Sequence, residues 1–330
     1  MKYLSLFSGI GGFEKAIEQA YESNNEYAPI SEESEPQERQ EGGVRTINLN
    51  ETQLHDRDRT APLCIGYSEI DRYATKIYQA HYPDHKPYGD ITTIVTTELP
   101  DFDLLVGGFP CQSFSIAGKR GGFNDTRGTL FFEIARILRD KRPRYFLLEN
   151  VKGLLSHDSG KTFSTILGVL SDIGYDCQWQ VLNSKNFGVP QNRERVFIVG
   201  HIRGEPRPKV FPLRDNNGKD NESNKLRIRR KLLQRDEPKS VQEEKASTAS
   251  EPSGQDSQNR GDKPNDSDER GGSSHTTYNV RRLTPTECAR LQGFPDDWHK
   301  IEGISDTQAY KCYGNAVTVN VVEEVVKRLF

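Results

Sequence analysis

The sequence has little of what marks secreted, membrane-spanning or generally polycationic proteins. Its 330 residues contain five cysteines, and the formal net charge is −3. No two cysteines form a CxxC pair and no signal segment is evident, so a reduced cytoplasmic setting is expected rather than a disulfide framework. No apolar run approaches the roughly 20 residues of a membrane span, so no membrane contact is expected. Without excess positive charge, any contact with nucleic acid must use local basic surface.

What the sequence does contain is an alternation of two kinds of segment. Short apolar runs of strand length alternate with segments whose apolar residues recur at helical spacing. The predicted strands are residues 2–7, 63–67, 104–106, 145–148, 177–182 and 196–199. The predicted helices are residues 13–21, 70–82, 129–138 and 162–173. This alternation predicts an α/β fold with a doubly wound, mostly parallel sheet.

Two polar stretches interrupt the alternation. Residues 23–61 are rich in Glu, Gln, Asn, Ser and Arg, which predicts a surface insertion between the first helix and the second strand. Residues 236–274 are mainly small polar and charged residues. They cannot bury enough apolar surface to offset the entropy of ordering them, so disorder is predicted there. Order is expected to resume near residue 278, and a valine-rich stripe in residues 321–329 predicts a final helix.

Side chains capable of catalysis lie where predicted strands end or begin. Cys111 follows an apolar run that breaks at Gly-Gly-Phe-Pro, Glu149 ends a second run, and Arg193 and Arg195 lead into a third. Open α/β sheets place catalytic groups outside the carboxyl ends of their strands. A reactive thiol needs nearby positive charge or helix N-terminal amides, and a carboxylate on an apolar strand needs a partner or a useful raised pKa. The structural alternatives are a small buried thiol, a turn-capping acid and an arginine paired with Glu194.

The first predicted strand runs into a glycine-rich turn at residues 8–12, followed by a helix. Such a turn lets the backbone approach a ligand closely, and the helix N-terminus offers N–H groups to it. Glu69 follows the second predicted strand, where such folds place an acid on ribose hydroxyls. Asp90 is a further acidic candidate. An ordinary tight turn and solvated loop acids are the alternatives.

These features occur together in one ordered set of motifs. The motifs are residues 6–13, 89–91, 108–115, 149–151, 191–195, 282–295 and 313–317. In this order they resemble the DNA (cytosine-5)-methyltransferase family of prokaryotic type, over about residues 1–22, 63–212 and 279–330. The resemblance implies a class I S-adenosylmethionine-dependent methyltransferase fold with a second, smaller, variable domain.

The resemblance also implies a role for individual residues. The residues expected to line the S-adenosylmethionine pocket are Phe7, Gly9, Gly11, Glu69, Ile70, Asp90, Ile91, Leu130 and Asn315. Cys111 would add to C6 of cytosine and raise electron density at C5, while Glu149 would hydrogen-bond N3 and the exocyclic amine. Arg195 would steady the O2 side, with Arg193 near the same site. Pro110, Gln112 and Ser115 would contact the cytosine, which must leave the base stack to be reached.

The resemblance further implies domains and partners. Residues 1–200 would form the catalytic and cofactor-binding domain, residues 201–307 a small target-recognition region, and residues 308–330 a helix returning to the catalytic domain. The expected partner is double-stranded DNA, with a cognate restriction endonuclease in the same system, and the expected state is a monomer. No metal is expected.

The sequence departs from the family in the region that would read the target. Much of residues 201–280 has no ordered pattern, although residues 225–235 form a basic run. Such a run suits phosphate contacts, which position a protein without specifying sequence. Its alternative is a solvated helix face. Relaxed specificity, a very short target or a degenerate reader is therefore expected. Two alternative functions stay open: the same chemistry on RNA, and a protein that binds cofactor and DNA without transferring a methyl group.

Overall fold

The computed structural model describes residues 1–26, 61–110, 130–213 and 281–329. These residues form one compact unit, except Arg281 and Arg282, which belong to a second unit whose other residues lie outside the described part. The predicted disordered tract, the basic run and nearly all of the predicted insertion at residues 23–61 also lie outside the described residues. The predicted domain boundaries at residues 200 and 307 therefore stay predictions.

Strands and helices alternate along the chain. The strands are β1 (Lys2–Leu6), β2 (Leu63–Ser68), β3 (Leu104–Gly108), β4 (Tyr145–Val151), β5 (Tyr175–Asn183) and β6 (Glu194–Ile202). The helices are α1 (Gly12–Glu26), α2 (Arg72–His81), α3 (Leu130–Lys141), α4 (Lys161–Asp172), α5 (Pro285–Leu291), α6 (Asp306–Asn315) and α7 (Val319–Val326). Short 3-10 turns join several of these elements.

The strands of the described part form a six-stranded sheet in the order β2-β1-β3-β4-β6-β5. Strands β1 to β4 pair in parallel, as the helical crossovers between them require. Strand β6 runs antiparallel to both β4 and β5. The connection between β5 and β6 is too short for a parallel crossover, which needs about a dozen residues or more. The prediction of a doubly wound, mostly parallel sheet is confirmed.

Alternate side chains of the central strands fill two apolar cores on opposite faces of the sheet. Tyr3 and Leu147 face one core, which α1, α2, α6 and α7 cover. Leu4 and Leu148 face the other, which α3 and α4 cover. The valine-rich stripe predicted for the end of the chain forms the buried face of α7, which packs against α1. The glycine turn and the strand ends are thereby held from both sides.

A buried carboxyl group lies just beyond the glycine turn, in the first turn of α1. Glu14 is fully buried, and its Oε1 accepts a hydrogen bond from the Tyr78 hydroxyl at 3.0 Å. The same hydroxyl lies 3.0 Å from Nδ1 of His85. Burial raises the pKa of Glu14 from 4.5 to about 7, although its hydrogen bonds oppose this shift. Between about pH 4.5 and pH 7, Glu14 therefore retains a proton in the folded protein that it loses in the unfolded chain.

Glu14 should make the stability of the protein depend on pH. Because folding raises its pKa, Glu14 is neutral in both states below pH 4.5, and its unfavourable ionisation is fully felt above about pH 7. Between these two pH values the parent protein should lose about 3 kcal/mol of unfolding free energy. We expect Glu14→Gln, which keeps a hydrogen-bond partner for Tyr78, to abolish this loss. Denaturant unfolding of both proteins at pH 5 and pH 8 measures the difference.

The control for this measurement is Glu18→Gln, since Glu18 lies on the same helix in a partly exposed pair with Lys15. It should leave the pH dependence unchanged. A Glu14→Gln protein that loses as much stability between pH 5 and pH 8 as the parent would contradict the assignment.

Candidate active site

The mixed topology of the sheet brings a carboxylate and a guanidinium together at one edge. Glu149 lies near the carboxyl end of β4, and Arg195 lies near the start of the antiparallel strand β6. In the register of these strands, Val151 pairs with Arg195 and Glu149 with Phe197. Nε of Arg195 consequently lies 2.9 Å from Oε1 of Glu149. The pair joins two segments that are distant in sequence.

The pair is largely withdrawn from solvent. The Glu149 side chain is 11% exposed and that of Arg195 is 22% exposed. Burial raises the pKa of Glu149, while the charges of Arg195 and Arg193 oppose the rise without cancelling it. A buried carboxyl group with a raised pKa can hold a proton and donate it to a ring nitrogen, or it can accept a hydrogen bond from an exocyclic amine.

The neighbouring strand β3 leads the chain to this carboxylate. Gly108 pairs with Glu149 in the parallel register of β3 and β4. A β carbon at Gly108 would lie 3.2 Å from Oε2 of Glu149, so the backbone approaches the carboxylate closely. Asn150 donates a hydrogen bond from Nδ2 to the Phe109 carbonyl at 2.8 Å, which fixes the end of β3. Pro110 follows, exposed at the edge of the sheet. Cys111, Gln112 and Ser115 lie outside the described residues.

A second cluster of predicted residues forms at the glycine turn after β1. Phe7, Gly9 and Gly11 all have positive φ angles of 53°, 57° and 90°. This backbone is ordinary for glycine but strained for phenylalanine, and such strain is often stored at functional sites. Glu69 closes the turn: its Oε2 accepts from the Gly9 N–H at 2.9 Å, and its Oε1 accepts from the Ile70 N–H at 2.9 Å.

The other predicted cofactor residues differ in exposure. Ile70 is 75% exposed beside Glu69, although it is a large apolar side chain. Asp90 is exposed and caps the turn Ile91–Thr93, while Ile91 itself is buried in the core beneath α3. Ser68, at the end of β2, donates to the Gly89 carbonyl at 2.7 Å and so links this turn to the same edge. Leu130 is partly buried at the start of α3, and Asn315 is exposed at the end of α6.

Two supports of the glycine turn come from the C-terminal part of the chain and were missed from the sequence. Trp298 donates from Nε1 to the Ile10 carbonyl at 2.8 Å. Val317 packs so closely that a β carbon at Gly12 would lie 2.7 Å from its Cγ2. One of only two tryptophans, placed just beyond the motif at residues 282–295, was the available signal for the first contact. Val317 lies in a motif already noted, but the sequence does not reveal its neighbours.

The described part contains neither a metal-binding cluster nor a membrane-spanning helix. Among residues 1–26, 61–110, 130–213 and 281–329, no cluster of three or more His, Cys, Asp or Glu side chains is arranged to hold a metal ion. Within the same ranges, no helix combines the length and apolar character required to cross a bilayer.

The sequence matches a known protein family. The family model described as C-5 cytosine-specific DNA methylase matches residues 56–260 and 215–330. The chain belongs to this family. The predicted family is confirmed, and with it DNA cytosine-5 methylation as the reaction, for which a covalent enzyme–cytosine adduct is typical. The family and fold imply use of S-adenosylmethionine.

Relatives with similar sequences match most of the length of this methylase. It is 42% identical over 277 residues to the Type II methyltransferase M1.ScrFI of Lactococcus lactis subsp. cremoris, covering 79% of this chain and 70% of the relative. It is 41% identical over 303 residues to the Type II methyltransferase M.HpaII of Haemophilus parainfluenzae, covering 81% and 82%. The crystal structure of S. pombe Dnmt2 methyltransferase shares the fold, with a TM-score of 0.58, 18% identity and coverage of 99% and 97%.

The buried carboxylate of this methylase should be essential to its chemistry. We expect Glu149→Gln to lower kcat for methyl transfer by about 100-fold or more, because the amide neither donates a proton nor compensates Arg195. Affinity for S-adenosylmethionine should change little, since Glu149 makes no hydrogen bond to the glycine turn in the described part. Single-turnover assays and equilibrium cofactor binding separate the two effects.

The matched control is Glu194→Gln, which removes a partly exposed carboxylate that pairs with Lys152 at 2.7 Å near the same strand end. Its kcat should stay within a few-fold of the parent value, as expected for an exposed pair. A Glu149→Gln enzyme that turns over at the parent rate would rule out the proposed role of the carboxyl group.

Proposed function

We propose that this chain transfers a methyl group from S-adenosylmethionine to C5 of a flipped-out cytosine in double-stranded DNA, with Cys111 as the nucleophile. The observation that carries the proposal is the buried pair of Glu149 and Arg195. It lies beside Gly108, at the end of the strand that precedes Cys111. Cytosine C5 is too weak a nucleophile to attack a methyl sulfonium unaided. The protein must therefore raise electron density on the ring before transfer.

The glycine turn is suited to a nucleoside cofactor. An exposed isoleucine, a carboxylate and a left-handed turn lie side by side at Ile70, Glu69 and Gly9. An apolar side chain suits an adenine face, the carboxylate suits ribose hydroxyls, and the turn admits close backbone approach. The residues proposed to line this pocket are Phe7, Gly9, Gly11, Glu69, Ile70, Asp90, Ile91, Leu130 and Asn315. When bound, S-adenosylmethionine would supply an electrophilic methyl group, and its sulfur would keep the electron pair of the broken S–CH3 bond to give S-adenosylhomocysteine.

The chain's own residues prepare the cytosine. The Cys111 thiolate adds to C6, and the electrons of the C5–C6 double bond shift toward C5 and the ring. Glu149 donates a proton or hydrogen bond at N3 and accepts one from the exocyclic amine, which limits the charge that the addition creates. Arg195 orients Glu149 and lies near the O2 side. After C5 takes up the methyl group, loss of the C5 proton restores the double bond and expels the thiolate from C6.

The cytosine must leave the base stack for these groups to reach it. Pro110, Gln112 and Ser115 are proposed to contact the extruded base. Residues 201–307 are proposed to read the target, and the basic run at 225–235 to contact phosphates. Because the relatives are named Type II methyltransferases, a cognate restriction endonuclease is a proposed partner. We further propose a monomer acting in the cytoplasm, at the nucleoid.

Bisulfite sequencing tests the reaction and its nucleophile together. Plasmid DNA from a methylation-free host expressing this chain should carry 5-methylcytosine at a recurrent short motif. Cys111→Ala should abolish the signal, because an alanine cannot add to C6. Cys288→Ala, which alters a partly buried cysteine of α5, is the matched control and should retain it.

Two results would contradict the proposal. Methylation that persists in Cys111→Ala would exclude this thiol as the nucleophile. A parent protein that leaves plasmid DNA unmodified but methylates RNA, or neither, would exclude the proposed substrate. Scattered methylation without a recurrent motif would instead support the proposed methyl transfer. It would show that the protein does not recognise a specific target sequence.

A further inference from the structure

We propose that Arg193 is a positioning residue, whose guanidinium fixes the segment of residues 314–317 against the glycine turn and the end of β3. This inference rests on the proposed function and assigns a distinct task to the first of the two arginines near the site. Arg195 is directed to Glu149, whereas Arg193 is directed to the main chain of the C-terminal segment.

The contact consists of two hydrogen bonds from one nitrogen. Nη2 of Arg193 donates to the Gly314 carbonyl at 3.1 Å and to the Ala316 carbonyl at 2.9 Å. These carbonyls flank Asn315, the last residue of α6. The last carbonyls of a helix lack intrahelical partners and carry partial negative charge. The last turn of α6 has no basic residue of its own, so a cation from another segment serves it.

The arginine is itself held firmly. The Arg193 carbonyl accepts hydrogen bonds from the Ser184 N–H at 3.1 Å and the Ser184 hydroxyl at 3.0 Å. Nε of Arg193 is buried and has no hydrogen-bond partner in the described part. Burial and the nearby charge of Arg195 lower the pKa of Arg193 to about 10, which leaves it cationic at neutral pH. The main chain of Arg193 is thus held by Ser184, and its cationic side chain joins that main chain to the carbonyls of Gly314 and Ala316.

The segment that Arg193 holds touches both halves of the proposed site. Val317, directly after Ala316, packs on Gly12 so closely that a β carbon there would lie 2.7 Å from Cγ2 of Val317. A β carbon at Gly108 would lie 3.7 Å from Cγ1 of Val317 and 3.2 Å from Oε2 of Glu149. Displacement of Ala316 would therefore disturb the glycine turn and the end of β3 together.

The residues beyond Val317 have separate attachments. The Thr318 hydroxyl donates to Oε1 of Gln292 at 2.9 Å, and the Val319 N–H donates to the Gln292 carbonyl at 2.9 Å. These bonds anchor the start of α7 to the turn after α5. Loss of Arg193 should thus loosen residues 314–317 without releasing α7.

The test compares Arg193→Ala and Arg193→Lys with the parent protein. In the absence of DNA, Arg193→Ala should speed hydrogen exchange at residues 314–317 while leaving β4 unchanged. Its Kd for S-adenosylmethionine should rise about tenfold or more, as loss of charge-assisted hydrogen bonds implies. At saturating cofactor, kcat should fall as well, because Val317 of the same segment packs on the end of β3 beside Glu149. Arg193→Lys retains a cationic donor and should recover part of each effect.

The matched control is Arg203→Ala. Arg203 is an exposed arginine near the end of β6 that contacts Asp176 and Ser171, and its loss should change neither exchange nor Kd. Thermal melting establishes that each variant is folded. If Arg193→Ala does not fold, Arg193→Lys decides by the same readouts, with intermediate values expected.

Unchanged exchange at residues 314–317 in a folded Arg193 variant would overturn the proposal. So would a large loss of kcat with an unchanged Kd for cofactor, which would instead place Arg193 on the cytosine. Hydrogen exchange requires neither DNA nor turnover. Failure of the positioning role proposed for Arg193 is therefore distinguishable from failure of the proposed methyl transfer.

Discussion

The buried contact between Glu149 and Arg195 is the constraint on which the rest of the site depends. A carboxylate at the end of an apolar strand is strongly unfavourable unless a cation accompanies it. A wholly parallel sheet would place the start of the next strand at the opposite edge. Because β6 runs antiparallel to β4, its first residues lie beside the last residues of β4. The local exception to parallel order thus brings the guanidinium of Arg195 to the carboxylate of Glu149.

Several unfavourable features gather around this edge and the glycine turn. Phe7 has a left-handed backbone, Glu14 is buried with a raised pKa, and Glu149 is buried beside two arginines. Each is destabilising on its own, and a buried ion pair is weak evidence of net stability. Extensive apolar cores on both faces of the sheet offset these effects. Strain and buried charge located where a fold carries out chemistry are expected of natural proteins.

Much of the fold could be predicted from local patterns, because periodicity depends on which face each residue presents. The strand predicted at residues 145–148 is observed as Tyr145–Val151, and the helix predicted at 70–82 as Arg72–His81. The helix begins later because Asp71 caps it, with Oδ1 accepting from the Tyr73 N–H. Ile70, counted within the predicted helix, lies outside it and is exposed. Helical spacing alone could not make that distinction.

The site was predictable in kind but not in its pairings. Strand ends indicated that Glu149 and the arginines would meet, but not which arginine would contact the carboxylate. The carboxylate of Glu194, the partner suggested by proximity in sequence, pairs with Lys152 instead, while Nη1 of Arg195 donates to the Glu194 main-chain carbonyl. The contacts of Trp298 with Ile10 and of Val317 with Gly12 join residues about three hundred positions apart. Such contacts follow from tertiary packing, which no local pattern encodes.

In the proposed mechanism, a cysteine adduct at C6, assisted by Glu149, precedes methyl transfer. The most direct test is to incubate the protein with S-adenosylmethionine and a duplex carrying 5-fluorocytosine at the target. Fluorine cannot leave C5 as the proton does, so the methylated adduct should accumulate. We expect a complex that survives denaturation, with the nucleotide attached to the peptide containing Cys111. Absence of such a complex, or attachment to another cysteine, would contradict this mechanism.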